Sequence, residues 1–518
     1  MSERPAPLTP MPRYAAIDIG SNSIRMLAAE AGAEGEFREL ASSRHVVRLG
    51  ENVFREGRLS QPAMDLACQT LTAMAEEYRK LDVLAMRAVG TAALRDASNR
   101  AEFLARATQI LGSPVEVISG LEEARLIHLG VQARWPQRRR TLITDIGGGS
   151  AELILSDGGR MIDAFSRPLG AVRLTHIFLK ADPPDPRELA RLEKHIQERI
   201  AAAVERIGTA PIERMVATSA TAAAAICAAN GVRRAKRAMA DRFLASAAQI
   251  HRLYQDASQR DLEGRRRMTG IGPKRAEIIV AGVAVLNEVM RSLAIPRLYY
   301  STAGVRDGII ADLIHRRVGR EPDHLDADER RVVRSLGRRY GTSANHARKV
   351  AQLAAMLFEG LHPVHRLTPV YGRVLEAAAY LFNIGHYVND SRHHKHSLYL
   401  VMNADIPGFT DRERLGIANL CRYHRKSMPQ PAHAEFQTLD QEMRNAIVLL
   451  APLLRIAVAL DQSQEQKVER VEVSIQDRSV ELRLVSEGDT DIEQWHAGRT
   501  AEVFREVYGK QLVIRAKR

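Results

Sequence analysis

The chain reads as an α/β protein built from two related halves, followed by an all-α region and a small α+β end. Three observations carry this. The segments AAIDIGSNSIRM (Ala15–Met26) and LITDIGGGSAEL (Leu142–Leu153) repeat one pattern: a short apolar run ending in Asp, a turn through glycine, and an apolar resumption. Strand-like runs alternate with helical patterns as far as Ile314, the rhythm of α/β domains. After HRRVGREPDH (His315–His324) long amphipathic patterns take over, and from Lys467 period-two alternation returns.

At 518 residues the chain is too long for one core and suggests three or four domains. An N-terminal stretch, 1–13, is Pro-rich and lacks the apolar core of a signal peptide, so it reads as a disordered leader. The first half, 14–132, sets strands at Ala15–Ile19, Met26–Ala29, Val83–Val89 and Val115–Val117 against helices at Gln61–Leu81, Ala101–Leu111 and Leu121–Val131. After the polar joint RWPQRRR, the second half, 133–315, has strands at Thr141–Thr144, Ala151–Ser156, Met215–Thr218 and Arg297–Ser301. Residues 322–466 are helical. The end, 467–518, carries strands at Val468–Ile475, Ser479–Val485 and Gln511–Arg515 with one helix over Asp491–Tyr508.

Lys and Arg number 75 against 62 Asp and Glu, a net charge of +13, and the excess is clustered, for example at Arg138–Arg140, Arg233–Arg237 and Arg265–Arg267. A polyanionic partner follows from that clustering. Three cysteines, Cys68, Cys227 and Cys421, are too few and too far apart for a disulfide framework or a thiolate zinc site, which points to a reducing, cytoplasmic setting. The most apolar helical run, Ile278–Leu286, is far short of a membrane span, so no membrane association is expected.

The repeated hairpin carries the chemistry. Gly20 and the run Gly147, Gly148, Gly149 are expected to take positive φ, turning backbone N–H groups into a concavity that holds phosphate oxygens. Ser21, Asn22, Ser23 and Ser150 add polar groups at the same tips. Asp18 and Asp145, each closing a strand, are expected to face one another across a cleft and hold a hard divalent cation.

In order and spacing, AIDIGSNSIRM, VVRLGENVFREGRLS, AVGTAALRDASN, ISGLEEARLIHLGV, DIGGGSAEL and STAGVRDGII resemble the exopolyphosphatase / guanosine pentaphosphate phosphohydrolase family. The later segments NADIPGFT, RYHRK and LLRIAVALDQS resemble its long form. The resemblance implies two ribonuclease-H-like lobes of the actin-like, sugar-kinase-like kind, a helical HD-like third domain, and a homodimer. It implies Glu123 as the general base and Glu152 as its partner beside the metal, with Mg²⁺ as cofactor and Mn²⁺ as a substitute. Arg95 is implied as a phosphate clamp, and Ser219 and Thr221 as hydroxyl donors in a loop where the family's usual glycine is Ala220. Thr302 stands where an Asp is common. In the HD-like domain His346, His396, His424 and Asp461 fall at ligand stations, but Phe382-Asn383 replaces the His-Asp dipeptide, so a structural and substrate-guiding role is expected there. The His-rich stretch His386–His396 reads as a loop that touches polyanion or solvent.

The expected function is release of terminal orthophosphate from inorganic polyphosphate, with guanosine pentaphosphate 5′-phosphohydrolase as the alternative. The basic clusters favour the longer polymer. A superfamily kinase is disfavoured for lack of a convincing adenosine loop. A nucleic-acid-binding module, suggested by the helix-hairpin-helix lookalike TGIGPKRAEII (Thr269–Ile279), leaves the repeated hairpins unexplained.

Overall fold

The structure, a computed structural model, describes residues 11–32, 36–208, 210–316, 324–486 and 488–516. All but the last three residues of the expected leader lie outside these, and the first strand begins at Arg13. The chain divides into two compact units, one up to residue 319 and one from residue 320.

The first unit holds two sheets of one design. Strands β1 (Arg13–Ile19), β2 (Ser23–Ala31), β3 (Phe37–Val46), β4 (Ala85–Gly90) and β5 (Val115–Val117) lie in the order β3-β2-β1-β4-β5. Strands β6 (Thr141–Ile146), β7 (Ala151–Asp157), β8 (Arg160–Arg167), β9 (Arg214–Thr218), β10 (Leu244–Ser246) and β11 (Arg297–Tyr300) lie in the order β10-β11-β9-β6-β7-β8. Read from β8, the second order repeats the first: two antiparallel pairings, then two parallel ones, with β10 added antiparallel at the edge. The repeated hairpins are β1–β2 and β6–β7. Strands β3 and β8 were not anticipated from the sequence. Both are half-exposed along their length, so burial imposes no clean alternation on them.

Alternation on the central strands decides which way each side chain points. Ala15, Ile17 and Ile19 face a core with the helix Gln61–Arg79, whereas Tyr14 and Ala16 face a second core between the lobes. In the other lobe Leu142, Ile146, Leu153 and Leu155 point outward, and Ile143, Ile154 and Val216 point into that same layer. By the period of two, Asp18, Asp145 and Glu152 share the inward face. Two helices fill the layer. Gly120–Arg134 packs on β7 and β8, and Val305–His315 packs on β1 and β2 and on the first helix. Their crossing is close enough that a Cβ at Gly308 would lie 1.7 Å from the Leu126 carbonyl oxygen and one at Gly130 2.3 Å from that of Gly304.

In the second unit the helices Ala327–Arg339, Ala344–Gly360, Val370–Leu381, His393–Met402, Asp411–Tyr423 and Gln441–Ala459 surround one core. Val468, Val480 and Leu482 join that core from a small sheet, β12 (Val468–Ile475), β13 (Ser479–Ser486) and β14 (Gln511–Ala516), and Phe504 joins it from the helix before β14. The expected single helix between β13 and β14 is two, Asp491–Gly498 and Ala501–Tyr508, broken at Arg499-Thr500. A parallel β13–β14 pair requires a crossover, and the break bends it back over the core.

Candidate active site

The two hairpins superimpose residue for residue in their bonding. Gly20 N–H donates to the Ser23 carbonyl at 3.1 Å, and Gly147 N–H to that of Ser150 at 3.0 Å. Across the first ladder Asp18 stands opposite Arg25; across the second Asp145 stands opposite Glu152. The glycines do not take the expected positive φ; the positive-φ glycines among the described residues lie elsewhere. What requires them is proximity. A Cβ on Gly148 would lie 3.0 Å from the Ser21 Cβ, and one on Gly149 would lie 2.6 Å from Ala92 Cβ and 2.9 Å from Ser21 Oγ. The two tips therefore meet, and side chains there would push the lobes apart. Among the described residues nothing accepts from the amides of Ser21, Asn22, Gly148 and Gly149, all of which line the cleft. Ser21 Oγ accepts from Ala93 N–H at 3.2 Å, and Ser23 and Ser150 complete the rim.

Adjacent glutamates at the start of the Gly120–Arg134 helix go separate ways. Glu122 turns into a buried ionic cluster, accepting from Arg125 at 2.7 and 2.8 Å and from Arg87 at 3.2 Å. Arg87 and Arg125 both reach Asp312 at 2.8 Å, and the two guanidiniums and Arg316 hold that carboxyl far below its usual range. Glu123 faces the cleft with Asp18 and Asp145. Burial pushes the Glu123 carboxyl up to about 7, Arg95 opposing and Asp18 and Asp145 adding to the rise. Asp18 and Asp145 are themselves raised by burial, Asp145 while accepting from the Thr218 hydroxyl. Glu152 lies just behind, 1% exposed, accepting from Ser166 Oγ at 2.8 Å and raised by burial and by Glu123.

Arg95 is not aimed at the cleft: its Nη1 donates to Glu123 Oε2 at 2.9 Å and to the Ile118 carbonyl at 2.8 Å, so it steadies the Glu123 carboxylate. Ser219 lines the cleft and takes the left-handed conformation, φ 79°, one residue before Ala220. Thr221 is fully buried beneath it, and both hydroxyls donate to the Ile146 carbonyl at 3.0 Å.

Two cleft residues escaped the sequence reading. Arg25 and Arg275 line the cleft and also the wider chamber, about 1220 Å³, that opens from it. Aligning the hairpins would have found Arg25, which occupies the place of Glu152. Arg275 lies in the helix-hairpin-helix lookalike, which is in fact a single turn, Pro273–Ala276, leading into the helix Ile279–Ser292. Arg44 and Arg306 join Arg25 on one wall of the chamber; Arg234, Arg237 and Lys274 join Arg275 on another. Among the described residues Asp241 is the one carboxylate lining it, and its Oδ1 accepts from the Thr302 amide and hydroxyl at 2.8 and 3.0 Å. Burial and mutual repulsion among these cations push Arg44 down to about 9 and Arg275 to about 10. Arg44 Nε is buried without a hydrogen-bond partner.

In the second unit His346 Nδ1 pairs with Asp461 Oδ2 at 2.7 Å, while His424 stands on the far side of Phe382. His393, rather than His396, meets His424, with Nε2 atoms 3.3 Å apart. The expected loop over His386–His396 is partly helix, and His393 and His394 are buried in it. Among the described residues no group of three or more His, Cys, Asp or Glu side chains is arranged to hold a metal ion. In the first unit Asp18 and Asp145 line the cleft together and could hold magnesium, which binds through one or two carboxylates and completes its shell with water and substrate phosphate. No described helix is long and apolar enough to cross a membrane.

A family model described as the Ppx/GppA phosphatase family matches residues 28–317, and one described as Ppx/GppA phosphatase, domain III, matches residues 329–496. Among solved structures, the Aquifex aeolicus PPX-GPPA enzyme is 27% identical over 58% of this chain and 99% of its own, with a TM-score of 0.52. An exopolyphosphatase-like protein is 26% identical over 60% of this chain and all of its own, with a TM-score of 0.57. An exopolyphosphatase from Cytophaga hutchinsonii, 24% identical over 58% of this chain and 98% of its own, shares the fold at a TM-score of 0.55.

Proposed function

Since the chain belongs to the Ppx/GppA phosphatase family, and is thereby a polyphosphate or guanosine-pentaphosphate phosphohydrolase, we propose that its substrate is inorganic polyphosphate, cleaved from the end. The supporting observation is the join between a carboxylate-lined cleft and a chamber where seven Arg and Lys side chains face a single carboxylate. A chain of phosphates neutralises that excess unit by unit, and its oxygens give Arg44 Nε the acceptor it lacks.

In the cleft Glu123 takes a proton from a water whose oxygen attacks the terminal phosphorus. The P–O bond to the next phosphate breaks, orthophosphate leaves, and the remaining chain keeps the bridging oxygen. Arg25 and Arg275 offset charge on the transferred group, and the amides of Ser21, Asn22, Gly148 and Gly149 supply fixed donors. Asp18 and Asp145 would hold Mg²⁺, or Mn²⁺ in its place, which when bound neutralises phosphate oxygens. Glu152, close behind, keeps Glu123 and Asp145 in a field of like charge that favours cation binding.

A second reading, guanosine pentaphosphate, is favoured by Tyr300 and Asp241 on the chamber wall, an aromatic face and an acceptor for a base. Phosphate release measured side by side on long polyphosphate and guanosine pentaphosphate decides. A higher kcat/KM for the polymer is expected; the reverse replaces this reading with the second.

A further inference from the structure

In the hairpin β6–β7 three successive carbonyls of the glycine turn are all drawn to one side. The helix Ala171–Phe178 begins there: Ala171 N–H donates to the Gly147 carbonyl at 2.9 Å, and Val172 and Arg173 N–H donate to that of Gly148 at 2.9 and 3.1 Å. These amides belong to a first helical turn and have no partner within their own helix. The fit is close, since a Cβ on Gly170 would lie 2.3 Å from the Gly148 carbonyl oxygen. The third carbonyl, that of Gly149, is met by a side chain: Arg173 Nε donates to it at 2.8 Å, and among the described residues it has no other donor. In a trans peptide the N–H points opposite to the preceding C=O, so these bonds turn the amides of Gly148, Gly149 and Ser150 away from the helix. All three residues line the cleft, and among the described residues nothing accepts from Ser150 N–H.

The hairpin β1–β2 is held by main chain alone. Gly50 N–H donates to the Ser21 carbonyl at 2.7 Å, and Val47 and Arg48 N–H donate to that of Asn22 at 3.2 Å. Asn22 occupies the place of Gly149, so at this position the second lobe uses a guanidinium where the first uses backbone amides. Arg173 is itself held from the first lobe. Its Nη2 donates to the Asp96 carboxylate, and its guanidinium carbon lies 4.1 Å from the centre of the Phe54 ring. The Arg173 side chain is 17% exposed and that of Asp96 43%. Gly149 lacks the Cβ that limits rotation, so the Gly149–Ser150 peptide can turn over once the bond to Arg173 is lost. A carbonyl oxygen would then stand at the cleft in place of an N–H, an acceptor facing an anion.

We propose that the Ser150 amide is a further fixed donor to the phosphate under attack and that Arg173 is its positioning residue, held in place by Asp96 and Phe54 of the other lobe. This rests on the reading of the cleft as the site of hydrolysis, with Glu123 beside the attacking water, and not on which phosphate chain is bound there. Donors fixed before the reaction act on charge that develops in the transition state. In the full chain Arg173→Ala should therefore lower kcat at least tenfold with KM little changed, a loosened donor costing less than the roughly hundredfold or more of a removed one. Orthovanadate, which takes the five-coordinate shape of phosphorus in mid-transfer, should lose affinity by the same factor, whereas orthophosphate should not. Asp96→Ala, at an exposed side chain, should give a smaller loss of the same kind and add nothing to Arg173→Ala in the double variant. Phosphate release is measured on whichever of polyphosphate and guanosine pentaphosphate turns over faster, with Glu123→Gln alongside. Undiminished kcat in Arg173→Ala beside an inactive Glu123→Gln overturns this inference alone; full activity in Glu123→Gln overturns the reading of the cleft and the inference with it. A loss in Arg173→Ala that falls on KM, or that spares the affinity for vanadate, makes Arg173 a structural tie between the lobes and overturns its positioning role. Additive losses in the double variant overturn the part given to Asp96.

Discussion

The hairpins Asp18–Arg25 and Asp145–Glu152 share a turn, a register and a bond from glycine to the residue three further on, yet one ends in a cation and the other in a carboxylate. Their strands face the same inter-lobe layer, so the difference is placed at a single site. The second hairpin builds the carboxylate side of the cleft beside Glu123, and the first turns the opposite side toward the basic chamber. A repeated fold gives two equivalent positions, and opposite charges at those positions give the cleft a direction, from carboxylates to cations.

The largest test of this division is on the acidic side. Glu123→Gln should lower kcat by about two to four decades with little change in polyphosphate Kd, as befits a general base. Glu152→Gln should do the same to a smaller degree, since Glu152 acts from behind Glu123. Equal losses in binding and turnover would blur the comparison. On the basic side, Arg25→Glu should put a carboxylate at the same position of both hairpins and raise KM for polyphosphate at least tenfold, with Arg25→Ala intermediate. An unchanged KM would mean that Arg25 does not meet substrate.

The pH profile sharpens the same contrast. Glu123 must be ionised to accept a proton, and its carboxyl is raised to about 7, so kcat/KM should rise with pH below that value and level off above it. Arg95→Ala removes the charge that opposes the rise and should move the limb to higher pH; Asp145→Asn removes a repelling carboxylate and should move it lower. Movement in the opposite sense in either variant would separate the limb from Glu123. Asp18→Asn should raise the Mg²⁺ concentration for half-maximal activity several-fold, which a metal titration reads directly. The smallest effect concerns salt. Preference for long over short polyphosphate should shrink as the screening length falls from about 8 Å at physiological ionic strength to about 3 Å at 1 M.

Much of the site was legible before the fold because the hairpin is a local device. A strand ending in Asp, a glycine turn and a returning strand are adjacent in sequence, so Asp18, Ser21, Asn22, Asp145 and Gly147–Gly149 are brought to one cleft. The role of glycine was misjudged. Conformational freedom is a property of one residue, whereas the need for a missing Cβ at Gly148 and Gly149 arises from Ser21 and Ala92 more than fifty residues away. Arg95 was read as a clamp for a similar reason: its partner Glu123 is on another element, and only packing shows that the guanidinium is already engaged. His393 replaced His396 against His424 because helical phase, not sequence spacing, selects which histidine turns inward.

The sequence by itself determined the repeat, the α/β pattern of each half, the change to helices after residue 324 and the two aspartates of the cleft, because periodicity and turn chemistry act over a few residues. Tertiary structure decided which of Glu122 and Glu123 enters the cleft. It also decided that Arg25 and Arg275 join the scattered arginines in one chamber, and that Phe382 lies between His346 and His424. These outcomes depend on burial and charge contributed by segments distant in the chain, and such energies exist only once the lobes and helices have packed.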